Sequence, residues 1–307
     1  MRTIALLLTA ALVVASSAAF AAEPALRATK DNTTVSVFVG ETPRLTYRFA
    51  DVPYKPCVKT FCTPSGINIL RDSPHDHVHH HALMFAISAE GVSFWVERGK
   101  VGSQVNREIK ETAKTLPGGV SAAVIDEKLD WMLPDKKPAM SERRAITTYA
   151  AKDLKPSLLT WQTELTPAEG KPSVKLGGSH YYGLGMRFVQ SMDTGGRFFS
   201  ASGKKGPTVR GKERLTPAKW MAYTAAADGK KVTVAMFDHP DNPRHPAKMF
   251  TMSAPFAYIS ATLNLWKEPM TIEAGKPLVL RYGVALWDGE VTAEKVEKVY
   301  QKWVAFE

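Results

Sequence analysis

The chain has 307 residues, a formal net charge of +10 and 44% hydrophobic side chains. That hydrophobic share is ordinary for a globular chain with a substantial core. Past the first residues no stretch approaches the roughly 20 apolar side chains that a membrane helix needs, which excludes a protein spanning the bilayer by helices.

In chain order, a short basic start (Met1, Arg2, Thr3) leads into an apolar run at 4–14 broken only by Thr9, then Ala19-Phe20-Ala21. Residues 1–21 therefore read as a secretory signal peptide, and the protein is expected to be exported to the periplasm or the cell exterior. No cysteine stands at the cleavage point, which argues against a lipoprotein anchor. The rest, 22–307, shows no linker rich in Pro, Ser or Gly and is expected to form one domain. Export turns the net charge away from nucleic acid and toward an anionic envelope or polysaccharide.

Short segments of β type follow one another, at 34–39 (TVSVFV), 45–49, 82–88, 145–150, 158–165, 197–200, 231–237, 257–266 and 278–287. In LLTWQTEL, Leu159, Trp161 and Thr163 alternate with Thr160, Gln162 and Glu164, the period of a strand with one buried face. Gly-Gly, Asp-Gly, Pro-Gly and Ala-Gly pairs separate the segments, and no βαβ alternation appears. The expectation is an all-β fold, a large antiparallel β-sandwich. One helix closes the chain. Thr292 caps it, Val296, Val299, Tyr300 and Trp303 share a face, and Glu294 pairs with Lys298.

Both cysteines, Cys57 and Cys62, lie in CVKTFC. As a continuous strand, that segment holds them about 16 Å apart, beyond the ~7 Å Cα limit for a disulfide. Two free thiols are expected.

Next comes RDSPHDHVHHHALMFAI, with five of the chain's eight histidines between His75 and His81. An extended backbone would put His77, His79 and His81 on one side, and His80 with Asp76 on the other. The plain alternative is a polar loop whose imidazoles bond to backbone. For five histidines that alternative weakens, since each buried imidazole needs a partner. A site is expected here, with metal binding, proton transfer and sugar binding all open. The helical HEXXH pattern of zinc proteases is absent.

Three further stretches carry polar chemistry. GSHYYGLGMRF combines His180, Tyr181 and Arg187, a mixture suited to sugar contacts. GKKGPTVRGKER, residues 203–214, is the densest basic stretch and reads as a solvated loop, with contact to an acidic ligand as the second reading. MFDHPDNPRHP sets Asp238, His239, Asp241, Asn242, Arg244 and His245 among three prolines at a strand end, a rigid candidate rim.

PCVKTFCTPSG, RDSPHDHVHHHAL, YGLGMR, FDHPDNPRHP and LRYGVALWDG together resemble the methane oxygenase PmoA-like family, in order from about Val35 to Gly289. The family's Asp-His-x-His-His falls on Asp76, His77, His79 and His80, with proline in the place of Val78. Where the family continues Arg-Gly, this chain has His81 and Ala82. The family also places aromatic residues where the two cysteines stand. The resemblance implies a domain of unknown function and not a membrane monooxygenase subunit. It also implies a supersandwich like that of galactose mutarotases and polysaccharide lyases, whose sites set histidines on a concave sheet, and so carbohydrate chemistry.

Taken with the residues, this yields an expected carbohydrate-active enzyme with His77, His79 and His80 as catalytic groups in proton transfer. Asp76, His180, Arg187, His239, Asn242 and Arg244 are the expected substrate contacts, all lining one pocket. Two alternatives stay open: a glycan-binding module without catalysis, and a metal-dependent oxidoreductase with a divalent metal at the histidines. The expected partner is a carbohydrate or another small molecule, with neither nucleic acid nor membrane insertion.

Overall fold

The computed structural model describes residues 25–306, so the signal peptide assigned to 1–21 lies outside the described residues. Two antiparallel sheets carry the architecture. The ten-stranded sheet runs, in spatial order, Leu26–Lys30, Thr34–Val39, Thr42–Arg48, Cys57–Phe61, Leu83–Ala86, Gly183–Arg187, Tyr258–Thr262, Lys248–Met252, Glu213–Pro217 and Thr208–Arg210. The eight-stranded sheet runs Arg197–Ser200, Trp220–Ala227, Lys230–Asp238, Leu278–Asp288, Ser157–Pro167, Pro138–Ala150, Val120–Met132 and Ser103–Leu116. A small sheet of Met270–Glu273, Ser173–Gly177, Ser88–Ala89 and Val92–Ser93 lies beside them. The expected antiparallel β-sandwich with a short C-terminal helix is the observed fold. Among the described residues, no helix is long and apolar enough to cross a membrane.

Alternation accounts for the layering. In Ser157–Pro167, Leu159, Trp161, Thr163 and Leu165 are buried between the sheets, while Gln162 and Glu164 are half-buried on the other face. The same face of that strand is covered further along by the helix Ala293–Val304. Thr292 caps the helix by accepting from Lys295 N, and Val296, Tyr300 and Trp303 are its buried side chains. Trp303 Nε1 donates to Thr160 Oγ1 at 2.8 Å, and Glu294 meets Lys298 at 2.8 Å on the outer face.

The inter-sheet core is not wholly apolar. Arg144 is fully buried and grips Glu142 through two bonds of 2.8 Å. It also donates to Tyr47 Oη at 2.9 Å and to Gln104 Oε1 at 2.8 Å, while its guanidinium lies 4.7 Å from the Trp161 ring. Glu142 takes two more bonds, from Trp131 Nε1 and Thr163 Oγ1. Tyr47 bonds to Glu127, whose carboxyl is pushed up to about 7, chiefly by burial, against the pull of Arg144. The charged groups the strands send into this space all find partners, without which their burial would be prohibitive.

Both cysteines are free and buried, Cys57 at the start of Cys57–Phe61 and Cys62 just beyond it, and burial pushes both thiols up.

Arg144→Met would leave Glu142 as a buried carboxylate without its ion-pair partner. The expected loss is about 3–5 kcal/mol of unfolding free energy in urea melts. A loss below about 1 kcal/mol, the range of a surface pair, would contradict the central role given to Arg144.

Candidate functional site: a histidine pocket

The segment Asp72–His81 is a loop and not the extended strand expected. An isolated bridge between Asp72 and His81 closes it, and Ser73 N donates to His80 O at 2.9 Å. Within it, His77 N donates to Pro74 O and His80 N to His77 O, each at 2.9 Å, making two tight turns back to back. Pro74 and the local polar bonds favour turning over pairing, among them Ser73 Oγ to Val78 O at 2.6 Å. The result is crowding in place of alternation. The His77 and His80 rings stack at 4.8 Å, and the His79 ring stands edge-on to His80 at 4.5 Å. Ala82 ends the loop with φ of +49°, a left-handed conformation that glycine adopts more readily.

These rings meet the face of the ten-stranded sheet that points away from the eight-stranded one. Tyr258 lies 5.0 Å from His80, Phe256 4.7 Å from His77, and Trp95 6.1 Å from His80. Tyr258, which pairs with Arg187, lays its hydroxyl end over Gly185 two residues along that strand: a Cβ there would stand 2.1 Å from Tyr258 Oη. His77, His79, His80, Phe256 and Tyr258, with Tyr181, Phe250, Arg210 and Glu213, enclose a cavity of about 210 Å³. At its rim Arg210 donates to Glu213 at 2.7 Å, and His180 Nε2 lies 3.2 Å from the other Glu213 oxygen. Trp266, 41% exposed, stands 5.9 Å from His180.

Buried side-chain polar atoms without a hydrogen-bond partner concentrate here among the described residues: His80 Nδ1, Trp95 Nε1, Tyr258 Oη, and Nε and Nη1 of Arg187. His77 Nδ1 pairs with Asp76 Oδ2 at 3.2 Å. The Arg187 guanidinium lies 3.4 Å from the Phe256 ring, with Asp76 at 3.5 Å and Asp193 at 3.6 Å from its Nη2. Elsewhere among the described residues only the single hydroxyls of Thr148 and Ser157 are buried without a partner, so this cluster of unmet polar atoms marks a place built for something else to bond.

Neighbouring histidines are tuned in opposite directions. Burial, with Lys55 nearby, pushes His79 down to about 4. Burial, with His79, His77 and Arg187 around it, takes His80 down to about 2. Both are neutral at ordinary pH. For His81 burial also opposes charge, but bonds to Asp72 at Nδ1 and Glu97 at Nε2, each 2.8 Å, outweigh it and hold the imidazole above its usual range. Lys55 bonds to the same Glu97. His81 is thus the clamp that fixes the base of the loop.

Cys57, Asp72 and His81 are the group whose donor atoms fall within 4.8 Å of one another among the described residues. Both nitrogens of His81 are already taken by carboxylates, and burial keeps the Cys57 thiol protonated. The donors are committed to a charge-balanced network. A metal there would have to displace Asp72 or Glu97 from His81.

Of the residues read from the sequence, His77, His79 and His80 line the cavity, Asp76 and Arg187 flank it, and His180 stands at its rim. His239, Asn242 and Arg244 do not join them, which corrects the single pocket expected. Asp238 ties the proline loop to itself, accepting from Asn242 Nδ2, Ala247 N and His245 Nδ1 at 2.7 Å each. Asn242 also exchanges bonds with the Arg281 backbone, and Arg244 donates to the carbonyls of Leu263 and Glu268. His239 packs against Trp303 at 5.4 Å, on the helix side of the sandwich. Trp95, Glu97, Lys55, Phe256 and Tyr258 belong to the site without any signal in the sequence. Arg210 and Glu213 stood inside the basic stretch taken for a solvated loop, where a carboxylate between cations was the available signal.

The sequence model described as "Family of unknown function (DUF6807)" matches residues 34–301. The matching family is this one and not the PmoA-like family that the motifs resembled. No curated protein matches the chain. Among solved structures it is similar to a GH36 alpha-galactosidase from Geobacillus stearothermophilus at TM-score 0.48 and 9% identity, over 86% of this chain and 41% of that one. An alpha-galactosidase from Lactobacillus brevis gives 0.45 and 5%, over 86% and 39%. A Glycoside Hydrolase Family 97 enzyme from Pseudoalteromonas sp. gives 0.40 and 8%, over 87% and 36%.

With its folded pKa near 2 against an ordinary 6.5, His80 supports folding fully above about pH 6.5, and that support is lost as pH falls toward the folded value. His80→Gln removes this dependence. Between pH 7 and pH 4 the wild type should lose more unfolding free energy than the variant in urea melts. Parallel losses would mean that His80 takes up its proton as readily folded as unfolded.

Proposed function

The chain belongs to the family of unknown function DUF6807, so no activity comes with membership, and we propose from its own side chains that the histidine pocket binds one sugar ring or a sugar derivative of that size. The observation that carries this is the set of unpartnered polar atoms of His80, Trp95 and Tyr258 beside an aromatic-walled cavity. A sugar ring offers apolar C–H faces and a belt of hydroxyls. The rings of Tyr258, Phe256 and Tyr181 suit the first, and the unmet donors with the Glu213–Arg210 pair suit the second.

The reaction class we assign is proton transfer, with His79 as the transferring group. It lines the cavity, is more exposed than His80 and is the stronger base of the two, at about 4 against about 2. Such a weak base acts on a proton that the ligand itself makes acidic, as at an anomeric hydroxyl or beside a carbonyl. His80 orients the ligand as a neutral hydrogen-bonding group, and His81 holds the loop. The same low basicity favours the second reading, a glycan-binding pocket that performs no reaction. Export of the protein, read from residues 1–21, belongs to this proposal too.

A panel of monosaccharides, uronic acids and keto-sugars, followed by ligand-observed NMR, tests both readings. One panel member should bind, and Tyr258→Phe or His80→Ala should weaken it about tenfold, the effect of one or two buried hydrogen bonds. His79→Ala should keep binding and abolish turnover. Binding without turnover in the wild type selects the glycan-binding reading. No binding at millimolar ligand, or binding indifferent to both Tyr258 and His80, refutes the pocket.

A further inference from the structure

A second concave site lies on the opposite side of the strands that carry Arg210 and Glu213. Side chains alternate along Glu213–Pro217 and Lys248–Met252, which pair antiparallel. Glu213, Phe250 and Met252 face the histidine pocket, whereas Arg214, Thr216 and Thr251 face a groove of about 500 Å³. That groove opens where the edge strand Arg197–Ser200 of one sheet faces the edge strands of the other. Its lining includes Arg197, Lys204, Lys205, Lys212 and Arg214 and no carboxylate.

Only Arg197 has a carboxylate within ion-pair distance among these five, Glu290 at 3.0 Å, as far as the described residues go. The lysines are not borne by a free loop. Gly206 N donates to Thr216 Oγ1 at 2.9 Å, Arg214 Nη1 to Gly206 O at 3.1 Å, and Leu215 N to Pro207 O at 3.2 Å. The backbone comes so close that a Cβ on residue 206 would meet Leu215 O at 2.1 Å, which is why glycine stands there. Tying like charges around one concavity, on a pinned backbone, is unfavourable until an anion fills it.

We infer that this groove binds a linear acidic polysaccharide, through carboxylate or sulfate groups set along the chain. Half-buried Phe198 and Phe199 line it and supply apolar contact for the ring carbons of a sugar. Phe198 stacks on Tyr223 at 4.2 Å and Phe199 lies 5.2 Å from the Arg197 guanidinium, so both rings are held in place. Export, as read from the first residues, also directs the groove toward a wall or matrix polymer. The basic stretch, whose second reading in the sequence is contact with an acidic ligand, thus forms the wall of a site.

Three probes of similar length decide the matter with the full chain: oligogalacturonate, neutral dextran oligomers and single-stranded oligothymidylate, each titrated by calorimetry. Oligogalacturonate should bind, dextran should not, and the affinity should fall about tenfold or more between about 50 and about 200 mM salt. Lys205→Glu combined with Lys212→Glu should weaken oligogalacturonate about tenfold or more while leaving the melting profile unchanged. Arginine at both positions should preserve binding, which separates lost charge from lost folding. Equal binding of dextran, tighter binding of the oligonucleotide, or a charge-reversed variant as good as wild type would each overturn the inference. Failure of the monosaccharide pocket would leave these outcomes untouched, because the two sites share no lining residue.

Discussion

A positive charge sealed between the two sheets sets the terms for everything around it. Arg144 has no exposure, so its bonds to Glu142, Tyr47 and Gln104 must all be in place at once. An apolar core tolerates small slips in how two sheets lie together, but a bidentate ion pair does not. Gln104 passes the constraint on, because its Nε2 donates to the Phe85 carbonyl at 2.8 Å. Phe85 lies in Leu83–Ala86, the strand that leads directly out of the histidine loop. The position of the functional loop is therefore referred, through two side chains, to a buried charge in the opposite sheet.

From that anchor the loop divides its histidines by environment. His81, next to the strand, receives two carboxylates, which outweigh burial and favour its charged form; His80, one residue earlier, receives none and stays neutral. The two states support each other. Burial first disfavours protonation of both His79 and His80, joined at His79 by Lys55 and His81 and at His80 by Arg187 and Lys55. Three neighbouring imidazoles of equal basicity would share protons and present no defined donor or acceptor. Favouring the charged form of one and the neutral form of the other two yields a defined hydrogen-bonding surface.

Much of the fold was legible because alternation and turn residues are local signals. Thr34–Val39 and Arg197–Ser200 begin and end where the pattern placed them, and the helix is capped at Thr292. The long hairpin of Ser103–Leu116 and Val120–Met132 was missed. Its outer strand, with Arg107, Glu108, Lys110 and Glu111, is too polar to show a period. Density of histidine revealed the loop, but not its shape, since back-to-back turns depend on bonds such as Ser73 Oγ to Val78 O that leave no periodicity. The proline loop misled for a related reason. Asp238, Asn242 and His245 look like ligand-binding groups until their bonds to one another are seen. Tyr258, Phe256 and Trp95 read as ordinary core, and only their contact with unpartnered polar atoms distinguishes them.

One strand edge also shows how little sequence separates two chemistries. Between positions 210 and 214 the side chains of Arg210 and Glu213 reach the histidine pocket, and those of Lys212 and Arg214 reach the basic groove. The pocket side is compensated, with Glu213 held by Arg210 and His180, while Lys212 and Arg214 have no acidic neighbour within ion-pair distance among the described residues. A slip of one residue in register would exchange the faces, bringing lysine to the pocket and the lone carboxylate to the groove. The pairing of Arg214 with Thr251 and of Leu215 with Phe250, fastened by Gly206 against Thr216, prevents that slip. The close backbone approach at Gly206 thus sets the register on which both the pocket and the groove depend.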